Sequence, residues 1–292
     1  MKYYSQTSSG FKVKDFSIKH TVESAQPLTF YADYDLDNGL IEYPSGRNFV
    51  KVAAKAKGTR TSVMLKSSNM AAAKRDFAGR FGLKDDMDEI YSRIDTDSFV
   101  HEAIERYHGM RVTVNDPWET TLCFIISQYN NVKRIRLIVK NFVKAFGTDI
   151  YDQNGKVIGR SFPTSEELMG FGESDFRKQG AGFRAKYIAS AAEYCTNSLD
   201  LYKLSAKNYD NLKEELMEID GVGDKVADCI ALMGYGSMDA FPIDVWVKRT
   251  LERMYFKGRK RTIKQLHRFA EKRWDGYRGY AQQYIFHTGR NI

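Results

Sequence analysis

Short segments with partly alternating apolar and polar residues occupy about the first 65 positions of the chain. Alternation with a period of two is typical of a strand that buries one face. Turn signals such as Pro44-Ser45-Gly46 separate these segments. The pattern therefore predicts an N-terminal antiparallel sheet, with strands over 11–18, 28–34, 39–43, 49–53 and 61–65.

From about residue 70 the apolar residues recur at helical spacing. Asp116 and Pro117 predict the N-cap and first residue of a strongly apolar helix over 118–129. Asn154-Gly155 is a hairpin turn signal in this part of the chain. The remaining helices are predicted over 70–81, 98–107, 131–146, 163–168, 184–195, 209–218, 225–233, 245–255, 263–273 and 277–286.

The order of these elements predicts an α+β fold. We expect an N-terminal domain over 1–115, with an antiparallel β-sheet and flanking helices, and an all-helical body over 116–292. The chain has 292 residues, of which 42% are hydrophobic, so it is long enough to form a sizeable core.

The charge and the cysteine content of the chain limit the classes of protein to which it can belong. Lys and Arg total 45 against 37 Asp and Glu, and this surplus suits a polyanionic partner without requiring one. The three cysteines, Cys123, Cys195 and Cys229, are far apart and form no CxxC pair, which excludes a zinc ribbon and a disulfide scaffold. No apolar run reaches the roughly 20 residues of a membrane span. We expect a cytoplasmic monomer with no membrane partner, no metal and no cofactor.

The segment around Gly221-Val222-Gly223 carries the clearest motif. Apolar residues at 216, 219, 226 and 230 predict two packed helices on either side of this turn, at about 209–235. The free amides at the start of the second helix are able to hold a phosphate, so the pattern favours a helix–hairpin–helix that binds the DNA backbone. The alternative is a tight turn between helices with no ligand.

Two residues near the hairpin suggest chemistry. Lys225 follows the turn directly, and Asp244 follows Pro242 at a predicted helix start. Taken singly, Lys225 is compatible with a solvated lysine and Asp244 with an ordinary N-cap.

Together these residues resemble the helix–hairpin–helix–Gly/Pro–Asp superfamily of DNA glycosylases, and most closely its 8-oxoguanine DNA glycosylase branch. The resemblance rests on the segment from Gly221 to Cys229 and on Pro242-Ile243-Asp244-Val245. It implies that Lys225 is the nucleophile and that Asp244 assists it. The four-cysteine loop of the iron–sulfur branches of the superfamily is missing.

Three further segments extend the resemblance. In the segment Ser127 to Arg134, the family's residues imply that Asn130 and Arg134 face the base opposite the lesion, while Tyr129 stands where an asparagine that fills the vacated stack is usual. Phe183 and Arg184 match an aromatic wedge and an arginine that contacts cytosine. The base pocket implied by the resemblance consists of Ala25, Cys229, Gln282 and Phe286.

Two departures concern the substrate and the DNA contact. Ala25 stands where the family has a glycine whose carbonyl accepts the N7 proton of the oxidised base, and alanine cannot take glycine-only backbone angles. Trp246 stands where a histidine that contacts phosphate is usual.

The resemblance implies a base-excision repair glycosylase with abasic-site lyase activity, acting on damaged double-stranded DNA through a lysine Schiff base. The expected substrate is 8-oxoguanine opposite cytosine. Two alternatives remain open: an alkylpurine glycosylase that uses Asp244 and water, and a non-catalytic DNA-binding helix–hairpin–helix protein.

Overall fold

A five-stranded antiparallel sheet forms the N-terminal part of the computed structural model, which describes residues 7–152 and 154–291. The strand order is β1-β5-β4-β3-β2. In β5, Val63 and Leu65 are buried and Met64 is exposed, so alternate residues face the core as predicted. The strands are β1 Thr7–Lys14, β2 Asp33–Asp35, β3 Leu40–Ser45, β4 Asn48–Lys57 and β5 Arg60–Ser67.

Two of the predicted strands are wrong in part. The strand predicted over 28–34 is mainly helix, because Pro27 presets the first helical residue and the following apolar side chains are all buried instead of alternating. The strand predicted over 11–18 ends at Lys14, where Asp15 takes a positive φ, and Ser17 then caps a helix. The helices of this part are α1 Ile18–Glu23, α2 Pro27–Tyr31, α3 Met70–Arg80, α4 Met87–Ile94 and α5 Ser98–Arg106.

Helices dominate the chain after residue 116, which confirms the predicted α+β class. Asp116 caps the first of them through the amides of Trp118 and Glu119, with Pro117 in the first turn, as the sequence predicts. The helices are α6 Pro117–Ser127, α7 Val132–Phe146, α8 Ser165–Met169, α9 Glu173–Lys178, α10 Ala185–Asn197, α11 Tyr209–Met217, α12 Asp224–Tyr235, α13 Val245–Tyr255, α14 Ile263–Trp274 and α15 Arg278–Arg290.

This part of the chain also holds a small hairpin of β6 Asp149–Tyr151 and β7 Val157–Arg160. It agrees with the turn signal at Asn154-Gly155, although Gln153 in the same turn lies outside the described residues. The helical body therefore contains a two-stranded sheet that the sequence indicated only by its turn.

One hydrophobic core extends from the sheet through the helical body. The C-terminal helix α15 packs against α4 and α5 as well as α13. This packing brings the end of the chain beside the loop between α1 and α2. The division into domains at residues 115 and 116 stays a prediction. Within residues 7–152 and 154–291, no helix is both long enough and apolar enough to cross a bilayer.

Candidate active site

The predicted helix–hairpin–helix consists of α11, the turn around residues 218–223, and α12. Leu216, Ile219, Val226 and Ile230 are all buried, and Ala227 has no exposed surface where the helices pack. The apolar spacing in the sequence therefore corresponds to the packing of these two helices, as predicted.

The three hairpin residues have different roles. Gly221 has a φ of +85°, and a Cβ at this position would lie 2.7 Å from Cγ of Tyr187. Gly223 is the N-cap of α12 and offers no side chain to cap its first amides, which leaves them available to an anion. The Val222 side chain is buried and its amide donates to the carbonyl of Ile219 at 2.9 Å, so this residue anchors the hairpin, and a contact of Val222 with phosphate stays a prediction.

Lys225 and Asp244 line the same cavity, of about 430 Å³. Lys225 is in the first turn of α12, and its Nζ lies 5.4 Å from the centre of the Phe124 ring. Asp244 is the N-cap of α13, and its Oδ1 accepts a hydrogen bond of 2.8 Å from the amide of Val247. Asp244 therefore caps α13, and it also lines the cavity.

The four residues predicted for the base pocket also line this cavity. They are Ala25, Cys229, Gln282 and Phe286. Burial raises the pKa of the Cys229 thiol to about 11, with the Lys225 ammonium opposing the shift, so the thiol is protonated near neutral pH. The cavity therefore presents a neutral thiol and an aromatic ring to a ligand, together with the polar end of Gln282.

Gln282 has a free hydrogen-bond acceptor. Its side chain is 4% exposed, and its Nε2 donates to the carbonyl of Pro242 at 3.1 Å. Its Oε1 is buried and has no hydrogen-bond partner among the described residues. A buried acceptor without a partner is costly, so a ligand with an N–H donor would be favoured here.

Ala25 lies in the left-handed region with a φ of +60°. Glycine adopts this angle freely, whereas an alanine does so at a cost of about 1–2 kcal/mol. The backbone at this departure from the family pattern therefore takes an angle of the kind that glycine favours. Pro27 begins α2 two residues later.

Several cavity residues escaped the sequence analysis. Trp246, a departure from the family pattern, lines the cavity with a partly exposed ring. The others include Phe30, Phe124, Gln283 and Arg290. Aromatic residues at helical spacing are usually core, and no sequence signal separates a buried glutamine from an exposed one.

Among the residues predicted to contact the opposite strand, Tyr129 and Phe183 form an exposed aromatic pair. Tyr129 is 93% exposed with a φ of +47°, and its ring lies edge-on to that of Phe183, at 6.2 Å between centres. Phe183 is 45% exposed. Arg134 is exposed on α7, whereas Asn130 lines the cavity and donates to the carbonyl of Ile126.

Arg184 is buried against the loop between α6 and α7. It is 4% exposed, and its guanidinium donates to the carbonyls of Gln128, Tyr129 and Ala181. These bonds fix the backbone that presents Tyr129. A contact of Arg184 with cytosine stays a prediction.

One group of side chains has the spacing of a metal site. Oxygen and nitrogen atoms of Asp224, Asp228 and His267 lie within 4.8 Å of one another. The Nζ of Lys213 lies 2.7 Å from Asp224 and 2.8 Å from the fully buried Asp228. This ammonium already forms ion pairs with both carboxylates, and we assign no metal to the group.

Comparisons with known proteins agree with this geometry. The sequence model of the HhH-GPD superfamily base excision DNA repair proteins matches residues 122–275. The N-glycosylase/DNA lyase of Saccharomyces cerevisiae is 32% identical over 212 residues, which are 61% of this chain. A probable N-glycosylase/DNA lyase of Methanothermobacter thermautotrophicus is 28% identical over 230 residues, 72% of each chain. The match spans 56% of the yeast protein, about half of it.

Solved structures resemble the entire fold. MBOgg1 in complex with a low affinity DNA ligand is 34% identical, with a TM-score of 0.87 over 100% of this chain and 99% of that chain. The Clostridium acetobutylicum 8-oxoguanine glycosylase/lyase, in complex with double-stranded DNA containing cytosine opposite 8-oxoG, is 28% identical, with a TM-score of 0.87 over 100% of both chains. The chain therefore belongs to the HhH-GPD superfamily of base excision DNA repair proteins and, within it, to the 8-oxoguanine DNA glycosylase branch.

Proposed function

We propose that this protein is a DNA glycosylase with abasic-site lyase activity that removes 8-oxoguanine opposite cytosine. The observation that carries the proposal is the shared cavity of Lys225 and Asp244, which lies beside the turn of the helix–hairpin–helix. The presence of Lys225 in the cavity favours a lysine mechanism over the alternative of Asp244 with water. A binding module without catalysis would have no use for both groups in one cavity.

The reaction begins with a base that has left the stack. The unprotonated Nζ of Lys225 attacks the sugar C1′, the bond from C1′ to N9 breaks, and its electron pair leaves with the base, which takes up a proton. The carboxylate of Asp244 stabilises the positive charge that builds on the sugar. Ring opening gives a Schiff base, and loss of a C2′ proton then expels the 3′ phosphate, which cleaves the strand.

Two features of the cavity support a guanine-derived base. The Oε1 of Gln282, an acceptor, has no partner in the described part of the chain, and the Watson–Crick edge of guanine offers the donors N1–H and N2–H. The backbone carbonyl of Ala25 is our candidate acceptor for the N7 proton that distinguishes 8-oxoguanine from guanine. The related Clostridium protein is named an 8-oxoguanine glycosylase/lyase, which agrees with this choice of base.

The exposed aromatic pair is suited to filling the gap that the base leaves. Tyr129 lies in the loop between α6 and α7, and Phe183 lies in a 3₁₀ turn just before α10. Base–aromatic stacking supplies about 1–3 kcal/mol per base. We assign Arg134 and Asn130 to the neighbourhood of the orphaned cytosine. The hairpin amides after Gly223 then hold the DNA backbone.

Borohydride trapping tests the proposal. With a duplex that contains 8-oxoguanine opposite cytosine, the wild type should form a covalent protein–DNA adduct, and Lys225→Gln should form none. Lys264→Gln, on the exposed face of α14, is the matched control and should trap like the wild type. A covalent adduct formed by Lys225→Gln would contradict the assignment of Lys225 as the nucleophile.

A lesion panel separates the remaining alternatives. The same preparation is given duplexes with 8-oxoguanine, with an alkylated purine, and with an abasic site. Base release from the alkylated duplex alone would overturn the proposed substrate. No reaction on any of the three would support a non-catalytic binding protein.

A further inference from the structure

The loop from Ser24 to Gln26 holds a strained backbone at the cavity wall. Ala25 lies at φ +60°, which disfavours any residue with a Cβ. Such an angle persists only where surrounding contacts determine it.

Gln26 holds the loop from its C-terminal side. Its buried Nε2 donates to Oγ of Ser24 and to the carbonyl of Arg111, both at 2.8 Å. Its Oε1 accepts from the amide and the hydroxyl of Thr113, at 2.6 and 3.1 Å. Every one of these partners belongs to the N-terminal part of the chain.

Gln283 holds the loop from its N-terminal side. Its side chain is 1% exposed on α15, and its Nε2 donates to the carbonyl of Ser24 at 2.9 Å. The Ser24 carbonyl and the Ala25 amide belong to one rigid peptide plane. A fixed Ser24 carbonyl therefore restricts rotation about φ of Ala25.

We infer that Gln283 is a positioning residue for base recognition, which holds Ala25 in its left-handed conformation and so orients the backbone that meets the extruded base. The inference rests on the proposed function. Gln283 adjoins Gln282, so α15 supplies one glutamine to the base and the next to the loop that faces it. The hydrogen bond from Gln283 to the Ser24 carbonyl thereby links the two walls of the pocket, next to the one that Arg290 donates to the carbonyl of Glu23.

The test compares two reactions of the same enzyme. Gln283→Met removes the donor at similar volume, and it should slow single-turnover release of 8-oxoguanine by about tenfold. Strand cleavage at a preformed abasic site needs no base in the pocket, so this rate should change by less than about twofold. Thr288→Val, at a buried position of α15 outside the cavity, is the control and should alter neither rate.

Substitution of Ala25 provides the decisive test of whether Gln283 acts through the conformation of this residue. Glycine adopts a positive φ without strain, so in the Ala25→Gly background the loss of the Gln283 amide should slow base release by much less than tenfold. If the methionine variant folds poorly, Gln283→Leu, which also lacks a hydrogen-bond donor, replaces it and should slow base release in the same way.

Two results would overturn the inference. One is an equal loss of base release and abasic cleavage, which would indicate a general structural defect. The other is an undiminished effect of Gln283→Met in the Ala25→Gly background. Failure of the proposed function looks different, because the wild type itself would then release no 8-oxoguanine.

Discussion

The side chain of Asp244 has two roles, one in helix capping and one in the cavity. Its Oδ1 caps α13, and its carboxylate lies in the cavity with Lys225. An aspartate and an asparagine cap helices about equally well, because both offer an oxygen to the free amide. Only the aspartate carries a charge that can stabilise a developing cation.

We therefore expect Asp244→Asn to separate stability from catalysis. Base release should fall by about 100-fold or more, since the charge near the sugar is lost. The free energy of unfolding should change by less than about 0.5 kcal/mol, since the cap remains. Single-turnover kinetics and urea unfolding measure the two quantities. Asp244→Ala, which loses the cap as well, should show both defects.

At the scale of the element, the hairpin depends on one of its two glycines for its shape. Gly221 has a positive φ and lies against the ring of Tyr187. Gly223 has an ordinary φ of −96°, and a Cβ added there would meet no atom within 4 Å. The carbonyl of Gly221 also accepts a hydrogen bond of 2.9 Å from Nε2 of Gln128, which ties the hairpin to the end of α6.

Alanine at these two positions should therefore have unequal effects. Gly221→Ala meets both a steric clash and an unfavourable φ, and we expect a loss of about 2 kcal/mol or more in the free energy of unfolding. Gly223→Ala should cost less than about 1 kcal/mol, the difference between a poor and a moderate N-cap. Thermal unfolding of both variants checks the order, and equal losses would contradict the close approach of Tyr187.

At the scale of the molecule, a buried polar cluster joins the N-terminal part to the helical body. The guanidinium of Arg80 on α3 donates to the hydroxyl of Tyr31 at 2.7 Å, to Asn115 at 2.9 Å and to Glu119 of α6 at 3.3 Å. Burial raises the pKa of the Glu119 carboxyl to about 7, although the Arg80 charge opposes this shift. The cluster therefore makes the contact between the two parts sensitive to pH.

The sign of this effect follows from proton binding. The pKa of Glu119 in the folded protein, about 7, lies above the ordinary value of 4.5, so the folded state binds more protons between these limits. Its contribution to stability is greatest below about pH 4.5 and is lost as the pH rises towards 7.

The variant Glu119→Gln, which cannot titrate, should therefore gain stability relative to the wild type as the pH rises from about 5 to about 7.5. Urea unfolding across this range measures the difference. Glu193→Gln, on the exposed side of α10, serves as the control and should follow the wild type. Parallel curves for the wild type and Glu119→Gln would contradict the shift.

The sequence alone was sufficient for most of the helices, for the hairpin and for the family. Helical periodicity and capping depend on neighbours within one or two turns, so Asp116, Pro117 and the apolar positions around Gly221 could be interpreted locally. The same local reasoning was wrong at 28–34. Every residue of the short helix α2 is buried, so the pattern of apolar residues does not distinguish this helix from a strand.

The tertiary structure decided which side chains share a cavity and which have partners. Ala25, Lys225 and Gln282 come from distant parts of the chain, and only the packing of the α1–α2 loop, α12 and α15 around one cavity brings them together. The φ of Ala25, the hydrogen bond from Gln283 and the burial of Arg184 all depend on groups remote in sequence. Periodicity reports which face of an element is buried, whereas hydrogen-bond partners and backbone strain are set by the contacts that the complete fold makes.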